Sequence, residues 1–535
     1  MAWPRRCLLA CLSLATGPYA WAQGAPPSQM SPAAQMSPPP QSSGLPDPGA
    51  LATGKVATAR GWEITPRIGL DLTQTDNATL RRDNRQSDLI VRTSPGIRLL
   101  GESARAKGYV DFQVQQIDYM QSEGRDRTQR TLNGNGSLEL IDNWLFVDVG
   151  GRMARQAISA FGTPDSGSDS FNRNMTETTM YQVSPYIKGR LLGQADYQLR
   201  FDNTWYSAKN GPMRDTTVQS VQGSLAGITG FSLLSWGLTG DTQQTTYSND
   251  LKNEANSLRA TLTYALDPQL HLTVIGGRES NDYLNFRQQT TSISGWGANW
   301  APTERTQVAW RQENRYFGKS HSFAFSHRTA QTAWRISDSR DVMLRAPQTM
   351  SFAMGTYFDL LNEQLRTAIP DDLQRTSHIL ALLQTMGIAP DANVIGGFQT
   401  SRVSINRVKE ASFVWNGVRN MLTVSAQSID RTALGTGIDI PDDFTNFSST
   451  IRQKGITLNW AHKLTSQSTL TLMGNRSQTT GNSNNQETDR TMYSLMFTSK
   501  LGAHSNASIG VRRTEVSGFV DYTENAILAS LLMVF

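Results

Sequence analysis

Cysteine is almost missing from this chain of 535 residues: Cys7 and Cys11 are the only two, both near the N-terminus. Beyond them, disulfides, thiolate metal sites and cysteine nucleophiles are excluded. Long apolar runs are missing as well. No segment past the N-terminal region offers the ~18 consecutive apolar residues of a membrane helix, and mean hydropathy is −0.41. Charged residues are 18% of the chain and the formal charge is only +5, too weak an excess to point to nucleic acid. HExxH, GxSxG, Walker and GxGxxG motifs do not occur. The six histidines (His271, His321, His327, His378, His462 and His504) offer no metal-ligand spacing. His321 and His327 share a strand face ~20 Å apart, too far for one ion. Without a placed nucleophile and base, the expectation is a non-enzyme with no catalytic residue, cofactor or metal.

The end of the chain is the most telling part of what is present. In Asn525–Phe535, Ile527, Ala529, Leu531, Met533 and Phe535 fall on one face of a strand. An alternating apolar strand closed by a terminal aromatic, here Phe535, is similar to the sorting signal of bacterial outer-membrane β-barrels. At the other end, Arg5 and Arg6 precede the apolar stretch Cys7–Ala15, and Ala20-Trp21-Ala22 supplies a small-x-small cleavage site. Residues 1–22 therefore read as a signal peptide. Residues 23–60, rich in Pro, Gln and Ser with a doubled Gln-Met-Ser-Pro, read as a disordered tail.

From Gly61 to Phe535 one rhythm holds: roughly ten residues of apolar-polar alternation, then a turn. Leu258, Ala260, Leu262, Tyr264 and Leu266 alternate with Arg259, Thr261 and Thr263. Val308 and Trp310 oppose Gln307 and Arg311. Short connections, at 140–143, 266–269, 301–304, 337–339 and 463–466, alternate with longer polar ones at 74–87, 120–130, 156–175, 207–215, 245–255, 430–447 and 478–487. Tight turns on one side and longer loops on the other match an outer-membrane barrel. The fold class expected is all-β: a single closed antiparallel transmembrane barrel of roughly 18–22 strands, both termini periplasmic. Only alternate residues face lipid in such a barrel, so low mean hydropathy is no obstacle. Closure is obligatory, because an open edge in lipid leaves backbone groups unpaired.

Three sets of residues stand out within this frame. Arg259, Thr261, Gln307, Arg311, Asp111 and Gln113 sit at polar-face positions and are expected to line a hydrated, charged lumen. Trp144, Tyr197, Trp205, Tyr206, Tyr264, Tyr283, Trp300, Trp310, Trp334, Trp415 and Trp460 lie mostly near strand ends, where interfacial girdles want amphipathic rings. Residues 355–388 break the rhythm. Tyr357, Leu361 and Leu365, then Ile379 and Leu383, recur at helical spacing around Pro370 and the capping-box-like Asp371-Asp-Leu-Gln374, predicting a short helical hairpin that restricts the pore.

The segments Ile64–Leu70, Thr75–Leu80, Ser87–Ile90, Thr93–Ile97 and Gly417–Val424 carry a resemblance. Together with the insert they resemble the PEP-CTERM system-associated outer-membrane barrel family, across most of residues 61–535. The resemblance implies a role in exopolysaccharide biosynthesis or export, with polysaccharide and periplasmic export proteins as partners. Lipid, lipopolysaccharide and the barrel-assembly machinery are the partners expected of any such barrel, in the Gram-negative outer membrane after signal-peptide cleavage. Two alternatives stay open: a general or small-solute-specific outer-membrane porin, and a structural docking barrel for periplasmic export components.

Overall fold

Strands with an apolar and a polar face can enclose a polar interior in lipid only by closing into a cylinder, and this chain does so. The computed structural model describes residues 61–122, 124–167, 170–211, 215–248, 251–283, 287–343, 361–362, 365, 375–376, 379–380, 383, 398–400, 402–434, 443–446, 448–482 and 486–535. They form 22 strands in one sheet. The first eight are β1 (Gly61–Thr75), β2 (Asp88–Glu102), β3 (Ala106–Tyr119), β4 (Arg127–Ile141), β5 (Leu145–Ala157), β6 (Met175–Leu191), β7 (Ala195–Ala208) and β8 (Thr216–Ile228). The next seven are β9 (Leu234–Tyr247), β10 (Lys252–Asp267), β11 (Leu270–Asn281), β12 (Gln289–Thr303), β13 (Thr306–Arg315), β14 (Gly318–Arg328) and β15 (Thr332–Met343). The last seven are β16 (Ser404–Asn416), β17 (Asn420–Ala433), β18 (Thr450–Lys463), β19 (Ser468–Thr480), β20 (Glu487–Lys500), β21 (Ser505–Gly518) and β22 (Tyr522–Val534).

Each strand pairs antiparallel with the next, and β1 pairs with β22 from Arg67↔Val534 to Thr75↔Ala526, so no edge is left open. The backbone N–H of Phe535 reaches past the last ladder residue to donate to Pro66 O at 2.9 Å. Connections at the end holding Gly61 and Phe535 are short, such as 103–105, 142–144 and 268–269. Asn143 (φ 55°) and Gly193 (φ 73°) supply the left-handed residues that two of these tight turns require. Connections at the other end include 158–174, 344–403 and 434–449. By the usual barrel orientation that second end faces outward from the cell.

Side-chain exposure follows the alternation. Leu258 (52%), Leu262 (46%) and Leu266 (56%) are open on the convex face, while Arg259, Thr261 and Thr263 between them are partly covered on the concave face. On β22, Ile527, Leu531 and Met533 turn outward in the same way. This outward apolar belt is what a bilayer requires. Trp144 Nε1 donates to Tyr197 Oη at 2.9 Å at the short-turn end, an interfacial girdle pair.

Four expectations need correction. The segment Ser337–Ser339 is no turn; it lies inside β15, and the actual connection is 329–331. Tyr206 and Tyr283 are buried and belong to no girdle, because Tyr206 follows the outward Trp205 and so points inward. Trp310 lies mid-strand on the outer face, packed against His321 and Phe323. The helical hairpin over 355–388 does not stand as an element either. Among the described residues the one helix with defined bounds is the single turn Asp443–Asn446 in the β17–β18 connection. Tyr357 and most of that segment lie outside the described residues. Leu361, Leu365, Ile379 and Leu383 are described and have helical backbone, and Leu361, Ile379 and Leu383 are buried. Their apolar spacing marks buried surface, and among the described residues it bounds no helix.

Candidate functional site: the outer end of the lumen

The concave face is polar and knit together by arginines that reach beyond the neighbouring strand. Arg67 on β1 pairs with Asp111 on β3, and Arg98 Nε meets the same carboxylate at 3.0 Å. Arg200 on β7 bonds Asp148 on β5 at 2.7 Å and its own strand's Asp202 at 2.8 Å. Arg259 on β10 meets Glu313 on β13 at 3.3 Å, three strands away, and Arg311 Nε donates to Glu313 at 2.7 Å. Arg315 bridges Glu279 at 2.6 Å and Asp341 at 2.7 Å. Contacts that skip strands in this way hold the curvature of the wall and keep its charges paired.

Of the residues expected to line the lumen, Asp111, Arg259 and Arg311 all enter this network, and Thr261 Oγ1 donates to Gly237 O at 3.3 Å. Gln113 and Gln307 are half-buried on the same face. They do not converge on one point. Asp111 belongs to the arc near β1, whereas Arg259, Thr261, Gln307 and Arg311 belong to the arc β10–β13.

The convergence lies at the outer end, in residues that local pattern did not single out. The β5–β6 connection folds on its own asparagines: Asn172 Nδ2 donates to Thr163 O at 2.8 Å and Asn174 Nδ2 to Ser159 O at 2.9 Å. Such side-chain bonds satisfy a backbone that no ladder serves. The loop then reaches distant strands. Gln399 N donates to Ala157 O at 3.0 Å beside a parallel bridge between Ala157 and Phe398. Ala160 N donates to Asp443 Oδ2 at 2.5 Å, and Tyr522 Oη on β22 donates to Pro164 O at 2.8 Å. Phe161, Phe398, Phe444 and Ile451 form a buried apolar cluster where these segments meet. β5 and β16 are eleven strands apart in a ring of 22, so these contacts join opposite walls across the mouth.

Beside this cluster, in register with Ile451 across β17–β18, sits Arg431 on β17, 2% exposed. Its guanidinium lies 4.9 Å from the Phe398 ring centre, and Nη1 donates to Gln453 Oε1 at 3.0 Å. Its Nε has no partner among the described residues. A buried cation held by one neutral amide and a ring face, with no carboxylate among the described residues, is costly.

Comparison with known proteins gives this chain no family. No family model matches the chain, and no curated protein does. Among solved structures, the siderophore receptor PirA from Pseudomonas aeruginosa aligns over 88% of this chain and 80% of its own, with 9% identity and a TM-score of 0.44. The FrpB iron transporter from Neisseria meningitidis aligns over 88% and 81%, with 10% identity and a TM-score of 0.45. A mutant ferric enterobactin receptor from Pseudomonas aeruginosa aligns over 89% and 82%, with 11% identity and a TM-score of 0.46. At these values the likeness carries no argument about what this chain binds. The family named from the sequence is corrected here: no family model matches the chain, and none of these three structures is titled as a PEP-CTERM or exopolysaccharide barrel. The exopolysaccharide function, its polysaccharide and export-protein partners and the general porin reading are withdrawn with it. What stands is an outer-membrane-type β-barrel in contact with lipid.

Proposed function

We propose that this chain, exported by its signal peptide, is an outer-membrane barrel that admits a specific small solute through a mouth its own connections keep shut. The observation that carries this reading is the contact between opposite walls at Phe161, Phe398, Phe444 and Ile451. An unguarded diffusion channel has no use for an apolar cluster across its opening, whereas a selective one needs a barrier that a fitting solute displaces. Arg431 gives the solute a character. An anionic group arriving beside the cluster would find a buried cation without a carboxylate partner among the described residues, and would relieve its desolvation cost.

Planar-bilayer conductance tests the reading. The wild-type barrel is expected to show only rare, small openings. A Phe161→Ala/Phe398→Ala variant, which removes two rings of the cluster, is expected to conduct steadily and to favour anions. Adding Arg431→Gln should then remove that anion preference. A wild-type barrel that conducts steadily would refute the closed mouth. An unchanged preference in the triple variant would remove Arg431 from the passage.

A further inference from the structure

The outer surface of the barrel carries a feature that solute passage does not use. On strands β15–β19 the outward face changes character towards the outer end. Lys409 on β16, Ser428 on β17 and Lys454 on β18 are in register, forming one rung across three strands. The next rung towards the periplasm is Ala411, Ala426 and Ile456, with Arg476 paired to Ile456 on β19. A groove of about 710 Å³ opens there on the convex side. Ala411, Ala426 and Ser428 make its floor, Ile336 and Ile456 its apolar flanks, and Lys409, Lys454 and Arg476 its cations.

The charges around the groove do not cancel. Asp338 is engaged by Arg407 at 2.9 Å and by His321 at 3.2 Å, and Asp430 by Arg452 at 2.7 Å. Asp489 lies 4.0 Å from Arg476. Lys409 and Lys454 are both exposed and have no ion-pair partner among the described residues. Two free ammonium groups two strands apart, roughly 10 Å, stand directly above a strip of small and branched apolar side chains. This strip continues into the lipid-facing belt through Leu458 and Trp460.

We infer that this groove is a binding site for a phosphate-bearing lipid of the outer leaflet. Its acyl chain would lie over Ala411 and Ala426, and its phosphates would meet Lys409, Lys454 and Arg476. The position selects the occupant. A soluble anion has no reason to sit beside an exposed apolar strip, and a neutral lipid has no reason to sit beside unpaired lysines; an anionic amphiphile satisfies both. The inference rests on the outward orientation of the long-connection end and is independent of the closed mouth.

The test compares purified full-length barrel in phosphatidylcholine vesicles, with lipid A, dephosphorylated lipid A or inorganic phosphate added. The readout is the temperature at which the folded, fast-migrating gel band is lost. Lipid A is expected to raise that temperature for the wild type, while the other two additions leave it unchanged. Lys409→Ser/Lys454→Ser should weaken lipid A binding roughly thirtyfold, taking the usual contribution of two surface lysines near an anionic lipid. Ala411→Trp, which fills the groove and keeps both charges, should weaken it as well; it also serves if the double variant folds poorly. Lys252→Ser, an exposed cation on β10 far from the groove, should leave the effect intact. Equal stabilisation by inorganic phosphate, or a full lipid A effect in the double variant or in Ala411→Trp, would overturn the inference. Conductance is expected to be unchanged throughout, so this outcome and that of the mouth are read separately.

Discussion

Two arcs of the same wall meet the membrane differently. On β10 the outward positions from Leu258 to Leu266 are Leu, Ala, Leu, Tyr and Leu, about 27 Å of strand. On β18 they are apolar only from Ile456 to Trp460, about 13 Å, before Lys454 and Arg452 take over. Both strands are paired on both sides and both keep a polar concave face. The alternation therefore decides which side of the wall a residue occupies, while the height of the apolar belt varies around the ring. Where the belt is low, cations occupy the depth that lipid chains fill elsewhere, and the neighbouring lipid must supply the counter-charge.

Substitutions can break or sharpen this contrast. The largest effect is expected from Leu262→Arg, which places a charge in the middle of the tall arc. It should cost about 2–4 kcal/mol, the usual penalty for Arg or Lys at the midplane of a barrel, in urea titrations of folding into vesicles. Lys454→Leu, which raises the low arc, should leave stability in phosphatidylcholine unchanged or higher. Equal losses from the two changes would mean that the arcs do not differ in lipid contact.

On the concave face the expectation is of similar size but different origin. Glu279 (3% exposed) accepts from Arg315 and from the Tyr316 backbone N–H at 2.9 Å. Glu279→Ala should cost about 3 kcal/mol, because it leaves a buried arginine short of a partner. Glu279→Gln, which still accepts the backbone bond, should lose less. The smallest effect concerns Asp282 in the β11–β12 connection, whose carboxyl is pushed above the usual range by burial. A raised pKa means that the protonated form suits the folded state; this stabilisation is complete below the ordinary carboxylate range and fades as pH rises through the folded-state value. Asp282→Asn should therefore be slightly stabilising at neutral pH and indistinguishable from wild type in acid.

Much of the barrel was legible because its logic is local. Leu258 to Leu266 and Ile527 to Met533 display the two-residue period directly, and the alternation of short and long connections places the chain ends together. The errors also have physical causes. Ser337-Asp-Ser339 looks like a turn, yet Ser337 and Ser339 face the polar lumen, and Asp338 is the polar residue a strand carries on its outer face once it rises past a low apolar belt. The tight connection at Tyr316-Phe317 has two aromatics where turn formers are expected, and only Gly318 (φ 98°) reveals it. The mouth was not legible at all. Phe161 meets Phe398 and Phe444, and Ala160 meets Asp443, across hundreds of residues and half the ring. Such contacts leave no periodicity to read. Arg431 falls in the stretch 430–447 that reads as a polar connection, whereas it lies in β17; its burial without a carboxylate among the described residues exists only in three dimensions.

The most direct measurement exploits the lack of cysteine after Cys11. A single cysteine placed in turn at each position from 258 to 266 of the signal-free chain, and spin-labelled in lipid vesicles, reports whether each site contacts oxygen-rich lipid or a water-soluble relaxant. The even positions are expected to be lipid-accessible and the odd ones water-accessible, strictly alternating through Leu262. Uniform accessibility, or a period near 3.6 residues, would contradict the barrel and everything built on it.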